Sequence, residues 1–173
     1  MILIISATNR TGSNSLKVAN FYLNTLKKNK NDVELFSLEN LPANLILTDM
    51  YGKRSPEFEL IQQKVMEADK FIFVVPEYNG SFPGVLKTFI DCCKFPQSFL
   101  DKKAALVGLS SGKYGNIRGI EHLTGICNYI GIHVLPTRLH IPNISSELDE
   151  NQNLFKTDTV GFVEDQLKRF LAF

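Results

Sequence analysis

The five residues Phe71-Ile72-Phe73-Val74-Val75 carry no polar side chain at odd or even positions, and Pro76 ends the run. A strand with one wet face alternates apolar with polar residues. An unbroken apolar run therefore belongs in a sheet covered on both faces. Proline has no N–H to give to a ladder, so Pro76 marks the exit of the strand. Ile2 to Ile5 and Ala104 to Leu109 lack polar alternation in the same way. Strands of this kind need helices above and below them.

The rest of the chain supplies those helices in turn. Ser13 to Lys28 has helical spacing, with Leu16, Ala19, Phe21, Tyr22, Leu23 and Leu26 on a broad apolar face. After the polar turn Lys30-Asn31-Asp32, Val33 to Phe36 reads as a second strand. Ser37 to Ser55 is irregular and holds Pro42 and Gly52. Ser55 is placed to cap a helix with Pro56 in its first turn, running to about Ala68 with Phe58, Ile61, Val65 and Met66 inward. Val85 to Cys93 and Ile117 to Ile130 read as helices. Ile132 to Ile141 reads as a fifth strand interrupted by Pro136, and Val160 to Phe170 as a closing helix. Right-handed crossovers turn this alternation into an α/β, doubly wound, three-layer sandwich. Five parallel strands suggest the order 2-1-3-4-5. A length of 173 residues, with no repeat or long linker, suits one domain over residues 1–173.

Bulk properties exclude several function classes. Hydrophobic residues make up 44% and charged residues 21%, as in an ordinary soluble protein, and the formal net charge of +1 gives nucleic-acid binding no support. The apolar start Met1 to Ile5 has no basic region before it. It is too short for a membrane span or a secretion signal, so a cytoplasmic protein without membrane contact is expected. Cys92, Cys93 and Cys127 are odd in number and two are adjacent, which makes a poor disulfide framework and points to reduced thiols.

In a doubly wound sheet, ligands bind beyond the carboxyl ends of the strands at the switch in strand order. Three loops meet there: Ser6 to Ser15, Pro76 to Gly84 and Ser110 to Arg118. These are also the segments richest in Gly, Ser, Asn and Arg. The first loop feeds a helix, whose free N–H groups and short hydroxyls attract an anion, and Arg10 can add a charge-assisted fork. No Gly-Lys-Ser/Thr closes it, so it is not a P-loop, and G-x-G-x-x-G is absent. By itself it is equally well read as a plain helix cap. In the second loop Gly80 lets backbone approach a flat ligand, and Tyr78 and Asn79 offer an aromatic face and an amide. Asn-Gly and Pro-Gly also occur in ordinary turns.

Pro76-Glu77-Tyr78-Asn79-Gly80-Ser81-Phe82-Pro83-Gly84-Val85-Leu86-Lys87 strongly resembles the signature of the NADPH-dependent FMN reductase family, which includes chromate-, quinone- and azo-reducing members. The hydroxyl-x-Arg-x-x-Ser pattern of the first loop resembles that family's phosphate loop. Ser110-Ser111-Gly112 and the residues to Arg118 resemble its Ser-x-Gly segment beside the flavin. The resemblance runs from Met1 to about Ile141 and implies a flavodoxin-like fold. It also implies that Thr8, Arg10, Ser13, Asn14 and Ser15 hold the FMN phosphate. Pro76, Glu77, Tyr78, Asn79 and Gly80 would line the ribityl chain and ring edge, and Ser111, Gly112 and Tyr114 the other side. Ala7, Thr8 and Asn116 depart from the family's usual Gly, Ser and Gly.

The implied chemistry is hydride transfer from NADPH or NADH to the flavin and on to a small acceptor, with no catalytic side chain. The chemistry belongs to the cofactor, and the protein positions it. A single phosphate-sized loop favours FMN over FAD. The resemblance also implies a homodimer, with pairing into a tetramer open, and Phe89, Ile90, Phe95 and Phe99 are the candidate interface. A flavodoxin-type electron carrier is the rival reading, although such carriers are usually acidic. A fold kept with an empty site is a third. His122, His133 and His140 lack ligand spacing, so no metal is expected. Cys92 and Cys93 read as small core residues. Lys27 to Lys30 reads as a solvated helix end.

Overall fold

The computed structural model describes every residue except Lys30 and Gly52. Those two, expected in the polar turn at the basic helix end and in the irregular stretch respectively, lie outside the described residues. The strands are β1 (Ile2–Ser6), β2 (Val33–Ser37), β3 (Lys70–Pro76), β4 (Lys103–Leu109), β5 (His133–Val134) and β6 (Leu139–Ile141). All pairings are parallel, in the order β2-β1-β3-β4-β5, with β6 also on β4. This is the flavodoxin-like order, with its switch point between β1 and β3.

The missing alternation in β1 and β3 has a direct cause. Leu3, Ile5, Phe71 and Phe73 enter one core, while Ile2, Ile4, Ile72 and Val74 enter another on the opposite face. Helices α3 (Pro56–Glu67), α4 (Gly84–Cys92) and α5 (Ile117–Tyr129) contribute Phe58, Phe89 and Ile120 to the first core. Helices α1 (Asn14–Lys28) and α6 (Thr157–Ala172) contribute Tyr22 and Phe170 to the second. Ser13 caps α1 by accepting the Leu16 N–H at 3.2 Å. Ser55 caps α3 by accepting the Phe58 N–H at 3.2 Å, with Pro56 in the first turn. Ser55 is the expected cap, whereas Ser13, expected as the first residue of its helix, caps it instead.

The fifth strand is interrupted at Pro136 as expected, leaving two short pieces, β5 and β6. Leu135 N–H still donates to Ala104 carbonyl at 2.8 Å, but Pro136 has no N–H to continue the ladder, and pairing resumes at Leu139. Three expectations need correction. The irregular stretch holds a 3-10 turn over Leu38–Asn40 and the one-turn helix α2 (Leu45–Thr48). Buried Asp49 fastens its end, accepting from the Thr48 hydroxyl and the Ser55 N–H. On α3, Ile61 and Met66 are only half-buried and Gln62 is fully buried. Its amide takes the place of an apolar contact by donating to Ser98 Oγ at 2.8 Å and accepting the Lys94 N–H at 2.7 Å. Finally, Phe89, Ile90 and Phe99 are buried in the first core and cannot form a subunit interface. Only Phe95, 65% exposed, is available from that set.

Candidate functional site

Parallel strands end together, so β1, β3 and β4 deliver their following loops to one edge of the sheet. A cavity of about 420 Å³ opens there, within the usual range for small-ligand sites. Thr8, Arg10, Ser13, Asn14 and Ser15 line one end; Pro76, Glu77, Tyr78 and Ser111 line the other. The structure thus gathers nine of the expected residues around one space.

The first loop is shaped as an anion cradle. Ser15 Oγ donates to Ser13 Oγ at 3.1 Å, while Thr8 Oγ1 accepts the Arg10 N–H at 3.3 Å. The N–H groups of Asn14 and Ser15 open α1 and have no acceptor within the helix. Among the described residues, the N–H groups of Thr11, Gly12 and Ser13 have no hydrogen-bond partner either. Gly12 sits at φ +62°, which only glycine adopts readily. The first turn of α1 contains no acidic residue. Unpaired donors, a helix start and an arginine favour a dianion here.

The second loop is held from two sides. Tyr78 and Ser81 exchange backbone hydrogen bonds of 2.8 and 3.0 Å around Asn79 and Gly80. Both central residues have positive φ, the pattern of a type I′ turn, which explains the Asn-Gly pair. Asn79 and Gly80 lie beyond the cavity lining. Gly80 packs beneath the Arg118 guanidinium, so its glycine serves the turn. The Thr8 and Tyr78 hydroxyls share a hydrogen bond of 2.7 Å, tying the first loop to the second.

Asn116 is the departure from a Gly-Gly pair, and the structure accounts for it. It takes the left-handed conformation at φ +63°, which asparagine tolerates better than most residues. Its amide is fully buried and donates to the Val75 and Pro76 carbonyls at 3.0 Å each. Gly119 makes room for it: a Cβ there would collide with Asn116 Oδ1.

The third loop is closed by Ser110, whose hydroxyl donates to the Gly112 carbonyl at 2.8 Å and accepts the Gly115 N–H at 2.9 Å. Gly112 and Tyr114 lie outside the cavity lining, and Tyr114 is 56% exposed. Sequence reasoning missed Lys17, Leu109 and Ile144, which also line the cavity. Ile144 arrives from the 3-10 turn Ile144–Ser146, and its N–H donates to the Ser110 carbonyl at 3.0 Å. That turn follows β6, and no polar cluster announces it.

The histidines and thiols stand apart from the cavity lining. His122 Nδ1 is 2.9 Å from Ser81 Oγ, His140 Nδ1 is 3.2 Å from the Gly115 carbonyl, and His133 lies near Asp101. All three cysteines are free and buried. Burial, then the charge of Asp49, pushes the Cys92 thiol up to about 11, and burial pushes Cys127 up to about 12. A thiol reagent at neutral pH is therefore expected to find no thiol in the native protein and three after denaturation. A fast-reacting native thiol would contradict this burial. The sign also predicts alkaline weakening. Above the ordinary thiol pKa the unfolded chain loses protons that the folded chain keeps, so stability falls as pH rises toward 11.

A family model described as NADPH-dependent FMN reductase matches residues 1–145. The chain belongs to that family. A 2-hydroxy-1,4-benzoquinone reductase of a Burkholderia species is 33% identical over 127 residues, 70% of this chain and 69% of that protein. An NAD(P)H-dependent FMN reductase of Pseudomonas aeruginosa is 30% identical over 140 residues, 79% of this chain and 75% of that one. The flavoenzyme NAD(P)H:(acceptor) oxidoreductase FerB of Paracoccus denitrificans superposes with a TM-score of 0.80 at 18% identity, covering 99% of this chain and 94% of that chain. At that identity the likeness speaks for the fold. All three loops that line the cavity fall inside the matched residues.

Proposed function

We propose that this chain is a single-domain, FMN-dependent NAD(P)H oxidoreductase that reduces a small acceptor, with a quinone as the first candidate. The observation that carries the reading is the cavity at the switch point. One end presents free N–H groups and Arg10 to a phosphate, and the other is walled by the loops after β3 and β4. The residues present fit FMN. Unpaired donors suit its phosphate, and the cavity continues from them along Thr8 and Tyr78 to Pro76 and Ser111.

FMN supplies the chemistry when bound, accepting hydride from the nicotinamide and passing it on. The chain's own work is placement. Arg10, Ser13, Asn14 and Ser15 would hold the phosphate. Thr8 and Tyr78 fix the spacing of the two loops that would flank the ribityl chain. Asn116 sets the direction of the Pro76 carbonyl in the wall that would receive the ring. Good orientation of reacting groups is worth about 7–11 kcal/mol in favourable systems. Asn79, Gly80, Gly112 and Tyr114 support the walls or rim. Proposed surroundings are the cytoplasm and a homodimer, checked by light scattering, in which a monomer mass at micromolar concentration would remove the dimer. Among the described residues no helix is long and apolar enough to cross a membrane.

Two measurements test the reading. Protein reconstituted with FMN is expected to keep a flavin visible spectrum after desalting, and then to oxidise many equivalents of NADPH or NADH per flavin when benzoquinone is added in excess. A colourless protein refutes the flavin site. A yellow protein that leaves NAD(P)H untouched favours the electron-carrier reading, which the formal charge of +1 already disfavours.

A further inference from the structure

Lys17 sits one turn into α1, and it lines the same cavity as Arg10. Helical side chains lean toward the N-terminus, so a residue at this depth covers the mouth of the first turn. Lys17 Nζ donates to Asn14 Oδ1 at 3.0 Å, which holds the ammonium back over the loop rather than out along the helix flank. The side chain is half-buried. Ion pairs among the described residues include neither Lys17 nor Arg10. The one carboxylate lining the cavity, Glu77, belongs to the second loop and lies 3.7 Å from Arg118.

Two unpaired cations therefore face one end of a cavity that already presents free N–H groups. A phosphate monoester carries about −1.5 to −2 charges at neutral pH, more than one guanidinium balances. We propose that Lys17 is a second cation for the ligand's terminal phosphate, acting with Arg10, and that it sets the preference for phosphorylated over unphosphorylated flavin. The proposal rests on the FMN reading above. Lys17 lies two residues beyond Ser15, the last of the residues to which the resemblance gives the phosphate. Asn14 gains a second part: its amide oxygen positions the ammonium. A compact ammonium on a flexible stem suits a point contact beside the flat fork of Arg10.

The test titrates wild type, Lys17→Gln and Lys17→Arg with FMN and with riboflavin, at low and at high salt. Lys17→Gln is expected to bind FMN about tenfold more weakly, the low end for a hydrogen bond to a charged group. Riboflavin affinity is expected to stay at the wild-type value, and Lys17→Arg to keep most of the FMN affinity. The FMN defect should shrink in about 1 M salt, where the screening length is about 3 Å. Wild-type protein that prefers FMN over riboflavin, with Lys17→Gln unchanged, overturns the Lys17 role and leaves the FMN reading standing. A parallel loss for both flavins overturns it too, because the side chain then acts on the fold. Wild-type protein that binds neither flavin overturns the FMN reading and this proposal together.

Discussion

Arg10→Ala is expected to weaken FMN binding roughly tenfold to hundredfold, or about 1.5–3 kcal/mol for one hydrogen bond to a charged group. Riboflavin has no phosphate, and its affinity should hardly move. Arg10 is exposed and its side chain has no protein partner among the described hydrogen bonds and ion pairs. Its loss therefore removes little packing, and the melting temperature should hold. The comparison separates three roles. A phosphate grip affects FMN alone. A helix-start role affects both flavins equally. A contact to the nicotinamide nucleotide raises only the Michaelis constant for NAD(P)H. Unchanged FMN affinity would remove Arg10 from the phosphate site. Combining Arg10→Ala with Lys17→Gln then measures whether the two cations act on one group, since residues that share a partner depart from additivity.

Asn116→Ala is expected to damage both the fold and the flavin site. Alanine in the left-handed conformation costs roughly 1–2 kcal/mol. The Val75 and Pro76 carbonyls also lose a buried donor, and a buried group left unpaired costs about 1–3 kcal/mol. Asn116 Oδ1 is itself buried without a partner, and removing it returns part of that cost. A net loss of about 2–4 kcal/mol follows, which lowers the melting temperature by roughly 5–15 °C for a chain of this size. Asn116→Gly is the informative control. It keeps the backbone conformation and removes only the amide, so its stability loss should be the smaller of the two. Both variants should bind FMN more weakly, because the Pro76 carbonyl is no longer held. An Asn116→Ala protein that melts and binds like the wild type would show that the amide ties nothing together.

The sequence by itself determined the layers of this protein and the three loops at its site. Phe71 to Val75 lacks polar residues because alternate side chains enter two different cores, so burial on both faces is written in the strand itself. Ser13, Ser55 and Pro56 mark helix starts because caps depend on residues a few positions apart. Local chemistry of that kind survives without the fold. The first loop was legible as a polar helix start for the same reason, but local chemistry left a plain cap and a phosphate loop equally open, and the family resemblance supplied the phosphate reading.

Only the tertiary structure decided which of those residues share a cavity. Lys17 and Ile144 join the site because α1 leans its side chains back and the turn after β6 folds over Ser110, and neither event leaves a residue pattern. Asn79 and Gly80 belong to the turn beyond the cavity, because positive φ at both serves chain reversal before it serves a ligand. Gln62 and Gln166 look like surface residues in a helical pattern. They are buried because partners from distant segments satisfy them: Ser98 and Lys94 for the first, Tyr22, Leu106 and Thr137 for the second. Phe89 and Phe99 reversed from candidate interface to core for a related reason. Hydrophobicity states that a side chain avoids water, and only the packing of α4 and its neighbours against the sheet states what covers it.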